Sequence, residues 1–222
     1  MTVATARAQR IGIWIIAFVM LVGTIGSFLV IVLSSSNAKS DQVRLTELTT
    51  EYENQYKDYQ AKVDAQATEL SDKYFAEFNQ YAGRPAAFDA ASVTELKSED
   101  LKVGEGEEIT ADSSFTAYYL GWNPTGKVFD GSIEGEKLKA PLSVVPGGVI
   151  EGWTKGVLGM KVGGVRELTI PAAQAYAEAG SGEDIPPNTP LKFVIFIIPT
   201  PTAIAQPQPS EELLRLYNSS NT

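Results

Sequence analysis

GVIEGWTKGVLGMKVGG, residues 148–164, is the single short helical stretch in a region otherwise patterned as strands. Ile150, Trp153 and Val157 recur at helical spacing, which predicts a short helix with one apolar face. Upstream, FTAYYLGW (115–122) is aromatic-rich and strand-like, and NPTG (123–126) follows it as a turn. Downstream, VRELTI (165–170) is a short strand. LKFVIFII (191–198) is apolar on both faces, which predicts a central strand covered on both sides. Antiparallel strands with one small helix make residues 88–199 an α+β domain.

Composition narrows the chemistry open to that domain. The 222 residues include no cysteine and no histidine, which removes disulfides, thiolate nucleophiles, Cys/His zinc sites and every Ser-His or Cys-His pair. A site made of carboxylates alone, or a Ser-Lys pair, stays open. The net charge of −9 argues against a nucleic-acid partner, whose phosphates need clustered Lys and Arg. GEGEE (104–108) reads as a turn rather than a calcium loop, and PGG (146–148) is no phosphate-binding loop.

Two unlike segments precede the domain. Residues 11–33, IGIWIIAFVMLVGTIGSFLVIVL, are 23 positions without a charge. A helix of that length crosses a hydrocarbon core of ~30 Å, so a transmembrane anchor is expected. Ser36 and Ala38 would suit a leader peptidase, but the apolar run exceeds the ~7–15 residues of a signal-peptide core. Arg7 and Arg10 on the N-terminal flank favour a cytoplasmic N-terminus, which places the remainder outside in a single-pass membrane protein. Residues 40–82 then carry an apolar stripe at Leu45, Leu48, Tyr52, Tyr56, Tyr59, Val63, Ala67, Leu70, Tyr74, Phe78 and Tyr81. The spacings of 3, 4, 4, 3, 4, 4, 3, 4, 4 and 3 form an eleven-residue repeat along one long amphipathic helix. Gly83 and Pro85 should end it. Docking of the stripe on the following domain and self-association through residues 40–82 both satisfy it. After Pro199 a proline-rich linker leads to a short tail helix capped by Ser210, within residues 200–222.

Five motifs stand in order along the domain: AYYLGW (117–122), GKVFDGS (126–132), GVIEGWTKGVLGMKVGG (148–164), RELTIPAAQAYAEAG (166–180) and IPPNTPLKFVIFI (185–197). In this register the chain resembles the FKBP family of peptidyl-prolyl cis-trans isomerases over roughly residues 101–199. The resemblance implies a twisted antiparallel sheet curled over a short helix, with a pocket between them. Carried over by motif, the pocket residues are Tyr119, Phe129, Asp130, Val149, Ile150, Trp153, Tyr176, Ile185 and Phe193, with Trp153 as its floor. The Ile150 backbone N–H and the Tyr176 hydroxyl are the implied donors to a bound peptide, and Asp130 orients polar groups at the rim. No cofactor and no metal are implied. The chain departs from the family pattern at Leu142, where an aromatic is usual, at Ala177, where Gly is typical, and at Asp184, where an apolar residue is frequent. Ser181 falls near a position often held by His, and Lys137 and Lys139 are the nearby candidates for a basic partner of Asp130.

These residue types suit a rotation that makes and breaks no covalent bond. The barrier to Xaa-Pro rotation is about 18–20 kcal/mol because twisting interrupts amide resonance. The twisted amide is less polar across C–N than the planar one, so apolar walls favour it. Substrates are then proline-containing polypeptides. Two functions follow: a membrane-anchored isomerase assisting the folding of exported proteins, or a non-enzymatic chaperone or adaptor that holds unfolded chains or a membrane partner.

Overall fold

A computed structural model describes residues 36–220; the expected anchor at residues 11–33 lies outside them. Among the described residues no helix is long and apolar enough to cross a membrane. The chain divides into two compact units, one of residues 66–202 and a smaller one drawn from the chain before residue 66 and after residue 202.

The larger unit is the expected α+β domain together with the end of the long helix. Its strands are β1 (Lys97–Lys102), β2 (Phe115–Trp122), β3 (Val128–Gly131), β4 (Ile133–Glu134), β5 (Lys137–Leu138), β6 (Leu142–Val144), β7 (Val165–Ile170) and β8 (Leu191–Ile198). The main sheet runs β1-β7-β8-β2-β3, with β6 paired to β2 beside β3, and β4 and β5 form a separate hairpin. Its pairings are all antiparallel. The strands read from FTAYYLGW, VRELTI and LKFVIFII keep their bounds, and β8 lies between β7 and β2 as its double-sided hydrophobicity demands.

The second face of β8 explains that demand. Phe193, Ile195 and Ile197 join the core that contains Trp153 and Val157, whereas Val194, Phe196 and Ile198 pack with Tyr74 and Phe78. The long helix α1 (Ser36–Phe78) therefore covers one sheet face with its last turns, and the short helix α2 (Glu151–Gly156) covers the other. Ring contacts follow, with Phe78 stacked on Phe196 at 6.1 Å and Tyr74 edge-on to it at 5.6 Å. The α-helix stops at Phe78 and one 3₁₀ turn continues to Tyr81, just before the expected breakers Gly83 and Pro85. Beyond it Arg84 donates to Glu167 at 2.9 and 2.6 Å, and Lys192 reaches the other carboxylate oxygen at 3.0 Å. That acid is 8% exposed, so its two cations are what make its burial tolerable.

Helix α2 lies unusually close to β7. A Cβ on Gly152 would sit 2.3 Å from Ile170, and one on Gly156 2.5 Å from Leu168. The two glycines are four residues apart and hence on one face of the helix. Arg166 of β7 donates to the carbonyls of Gly156 and Leu158 at 2.9 Å each, satisfying the helix C-terminus. The helix is thus fixed at both its flank and its end, and its N-terminus is the end that reaches the pocket.

In the smaller unit Leu45, Leu48 and Tyr52 of α1 pack with Leu213 and Leu216 of α3 (Glu211–Ser220). Arg44 makes a two-pronged pair with Glu212 at 3.2 and 3.0 Å. The tail helix begins as its sequence predicts: Ser210 Oγ accepts the Leu213 N–H at 3.2 Å. The stripe of α1 is thus covered from within the chain at Leu45, Leu48 and Tyr52 and again at Tyr74 and Phe78. Between these, Tyr56, Tyr59 and Val63 are half-buried.

Tyr118 carries a cost beneath α1. It is fully buried, and its hydroxyl has no hydrogen-bond partner. Burial pushes its phenol from 10.0 up to about 12. Because the folded pKa is raised, this group's contribution to stability is intact below pH ~10. It is lost as pH climbs toward 12, where the unfolded chain ionises and the folded one resists. Tyr118→Phe is expected to be neutral or stabilising by up to ~1 kcal/mol at pH 8. It should also shrink the loss of stability between pH 8 and 11. Urea unfolding at both pH values measures this, and an equal loss in parent and variant would refute it.

Candidate active site

The expected pocket residues assemble where the N-terminus of α2 meets the concave face of the sheet. Trp153, 3% exposed, is the floor. Tyr119 of β2 stands edge-on to its ring at 5.4 Å and Phe193 of β8 at 5.3 Å. Phe129 of β3 in turn meets Phe193 edge-on at 5.6 Å. Ile185 is buried in the same cluster, and Val149 and Ile150 pack against it half-buried. Strand alternation sets this up: Tyr119 and Phe193 face α2, and Phe129 is brought in by β3, whose Asp130 pairs with Gly121.

Gly121 also shapes the site, though it is not among the residues the motifs imply. A Cβ there would lie 2.5 Å from Phe193 and 2.7 Å from Phe129. The missing side chain is the space in which the two rings meet. Its signal was already visible as the Gly of AYYLGW. Ser132 is a second, visible in the same way as the Ser of GKVFDGS. It is 3% exposed, its Oγ accepts the Tyr119 N–H at 3.0 Å, and its own N–H donates to the Tyr119 carbonyl at 2.8 Å.

The rim is polar. The Tyr119 hydroxyl donates to Asp130 Oδ2 at 2.5 Å, and Gly131 N–H donates to Oδ1 at 2.8 Å. Neither candidate for a basic partner of Asp130 reaches it: Lys137 lies 3.9 Å from Glu134 on the β4–β5 hairpin, and Lys139 forms no ion pair among the described residues. That hairpin is turned toward α1, where Ser71 Oγ accepts the Leu138 N–H at 2.8 Å. Burial first, then the hydrogen bond to Asp130, raises the Tyr119 phenol far above its ordinary range. Tyr176 is 37% exposed at the rim, and burial followed by the Asp130 charge raises its phenol too. Both hydroxyls are thus neutral donors at physiological pH. The Tyr176 hydroxyl and the Ile150 N–H donate to no group among the described residues. Ile150 sits at the N-cap of α2, where an unsatisfied N–H is expected to look for an acceptor outside the helix.

The departures from the family pattern also find their places. Asp184 pairs with Lys127 at 2.5 Å, and its carbonyl accepts from Asn123 Nδ2 at 2.9 Å. These bonds hold the loop carrying Ile185 against the β2–β3 turn. Ala177 sits at φ 47°, in the left-handed region that the usual Gly occupies without strain. The Asn188 N–H donates to its carbonyl at 2.7 Å and helps hold it there. Leu142 packs on the same core as Trp153.

The arrangement brings together a cluster of aromatic and aliphatic side chains, two donors without a partner and one carboxylate. Among the described residues no cluster of potential metal ligands occurs.

Comparison with known proteins agrees with the geometry. The profile of the FKBP-type peptidyl-prolyl cis-trans isomerases matches residues 105–198. The FK506-binding protein of Neisseria meningitidis serogroup A is 39% identical over 102 residues, which are 45% of this chain and 91% of that protein. The "Probable FK506-binding protein" of Corynebacterium glutamicum is 41% identical over 106 residues, covering 47% of this chain and 86% of its own length. FK506-binding protein 4 of Rhizopus delemar is 41% identical over 100 residues, 45% of this chain but only 26% of that larger protein.

Proposed function

The chain belongs to the FKBP-type peptidyl-prolyl cis-trans isomerase family, and from that membership we propose that it is a membrane-anchored isomerase working on exported polypeptides. The observation that carries the catalytic part is the cluster of Trp153, Phe193, Phe129 and Ile185 beside the unpaired Ile150 N–H and Tyr176 hydroxyl. A prolyl ring packs on that cluster, and its planar amide, with charge separated between oxygen and nitrogen, leaves water. Desolvation raises the planar form relative to the twisted one. The two donors hold the flanking peptide in a turn, and Asp130 fixes the Tyr119 hydroxyl. Only a few kcal/mol of differential stabilisation is required, since each ~1.36 kcal/mol gives tenfold in rate. Without catalysis the bond turns over in tens to hundreds of seconds, slow enough to limit folding.

The membrane part rests on the apolar, uncharged run at residues 11–33 and on Arg7 and Arg10 before it. It places the catalytic unit outside the cytoplasm on a tether, close to chains emerging there.

One preparation tests both parts. Membranes from cells expressing the full chain are expected to accelerate cis/trans exchange of an Xaa-Pro peptide, read by NMR. Deleting residues 11–33 should move that activity to the soluble fraction. The Asp130→Ala, Phe193→Ala double variant should stay in the membrane, retain its circular dichroism and lose the acceleration. A folded parent that leaves exchange unchanged across several Xaa residues would replace the enzyme with a binding module. Activity that is soluble before the deletion would remove the anchor.

A further inference from the structure

Ser71 is a polar residue on the covered face of α1, 5% exposed, with Tyr74 and Phe78 three and seven residues further along the same face. Its Oγ accepts the Leu138 N–H at 2.8 Å. Leu138 is itself buried and pairs across the β4–β5 hairpin with Ile133, and both pack with Tyr74 and Phe78. Helix α1 therefore grips the hairpin by apolar contact and by one hydrogen bond of fixed direction. The next residue, Lys139, donates its N–H to the Ser132 carbonyl at 2.8 Å.

Ser132 is where the hairpin joins the pocket. On the outer edge of β2, β6 pairs with residues 115–117 and β3 with residues 120–122, so Tyr119 faces neither strand. In an antiparallel ladder the N–H and C=O of one residue point the same way. At Tyr119 both are met by Ser132, through its Oγ at 3.0 Å and its N–H at 2.8 Å. One residue thus fills the gap between two strands, and the side chain it fixes is the phenol that donates to Asp130. A run of hydrogen bonds joins Ser71 to the Tyr119–Asp130 pair, although Ser71 lies ahead of every motif that carries the family resemblance.

From this we propose that Ser71 and Ser132 are positioning residues for the isomerase reaction. Helix α1 holds the hairpin, the hairpin holds Ser132, and Ser132 sets the Tyr119 phenol against Asp130. The proposal rests on the isomerase reading above and deepens it. Without the Ser71 hydroxyl the Leu138 N–H loses its acceptor, and the hairpin gains a freedom that non-directional apolar packing does not remove. Tyr119 also stands edge-on to Trp153, so a shift of its backbone is felt at the rim and the floor together. The two serines act on the geometry of the bound peptide and not on its capture, which places their effect in kcat.

A double-mutant cycle on the full chain in membranes tests this, with kcat and KM for a Leu-Pro peptide read by exchange NMR. Ser71→Ala is expected to lower kcat about fivefold and Ser132→Ala about tenfold, each with KM unchanged within about twofold. Because Ser71 acts through Ser132, the double variant should be no slower than Ser132→Ala, whereas independent losses would multiply to about fiftyfold. Ser71→Thr keeps the acceptor and should keep the parental kcat. Amide hydrogen exchange on Ser71→Ala gives a readout that needs no change at Ser132. Protection should fall about tenfold at Leu138 and Tyr119 and hold at Tyr118, which points to the β8 side of the strand. A parental kcat in Ser71→Ala would overturn the proposal alone. So would multiplied losses in the double variant, or a Ser71→Thr as slow as Ser71→Ala. No acceleration by the parent chain would overturn the isomerase reading and this proposal with it.

Discussion

Gly121→Ala is expected to lower kcat/KM for Xaa-Pro exchange by about a hundredfold while the protein stays folded, since displacing a binding wall by ~1 Å can cost that much. The added methyl would begin 2.5 Å from Phe193 and 2.7 Å from Phe129. One or both rings must then turn out of the edge-on contact, and they are the walls against which a prolyl ring desolvates. The backbone need not object, because Gly121 lies within β2, where an L residue is tolerated. Overpacking of this kind costs about 1–3 kcal/mol of stability, within reach of a domain of ordinary stability. The decisive comparison is Gly121→Ala in a Phe129→Leu background. Trimming one of the two rings that crowd the methyl should restore part of the stability and part of the rate. An unaltered rate in Gly121→Ala would show that the Phe129–Phe193 contact is not the substrate wall.

Phe78→Ala is expected to destabilise the larger unit by about 3–5 kcal/mol, the usual cost of emptying a fully buried phenylalanine site. Phe78 has no exposed surface and lies against Phe196, Tyr118 and Tyr81 with centroid distances of 6.1, 6.2 and 6.4 Å. The loss falls on the sheet face opposite Trp153, so the protein that remains folded should isomerise at the parental rate. Urea unfolding measures the first statement and exchange NMR at low denaturant the second. A cost below ~1 kcal/mol would mean that α1 only rests on the sheet and that its stripe is meant for something else. A large fall in rate without loss of stability would mean that the two faces of β8 are coupled.

Both experiments probe the same strand pair, β2 and β8, from opposite sides. LKFVIFII announces a strand with two buried faces, but not what lies on each. One cover was legible as the helix around Trp153. For the other the sequence is satisfied by docking and by self-association alike, because an amphipathic stripe states only that it must be buried. The eleven-residue repeat of α1 has the same form at Leu45 and at Phe78. Yet one end packs with Leu213 and Leu216 and the other with Phe196. Periodicity carries no information about the partner.

The active site shows the same division at finer grain. The nine candidate residues come from the family motifs, and strand alternation turns two of them, Tyr119 and Phe193, to one face. What joins Asp130 to its neighbour was not recognisable. Lysines at 137 and 139 were close in sequence, but a two-strand hairpin carries Lys137 to Glu134, and it is the phenol of Tyr119 that donates to Asp130. Asp184, which as a letter in the sequence looked like a flaw in an apolar wall, is a clamp to Lys127.

The sequence by itself therefore determined the element types and the central position of β8, which follow from composition and short-range period, while the candidate pocket residues came from the family resemblance of its motifs. The tertiary structure alone decided which surface covers each apolar face, why position 121 has no side chain, and which donor holds Asp130. Those are contacts between residues far apart in the chain, and hydrophobicity, being non-directional, cannot choose among them until the backbone has fixed where each side chain points.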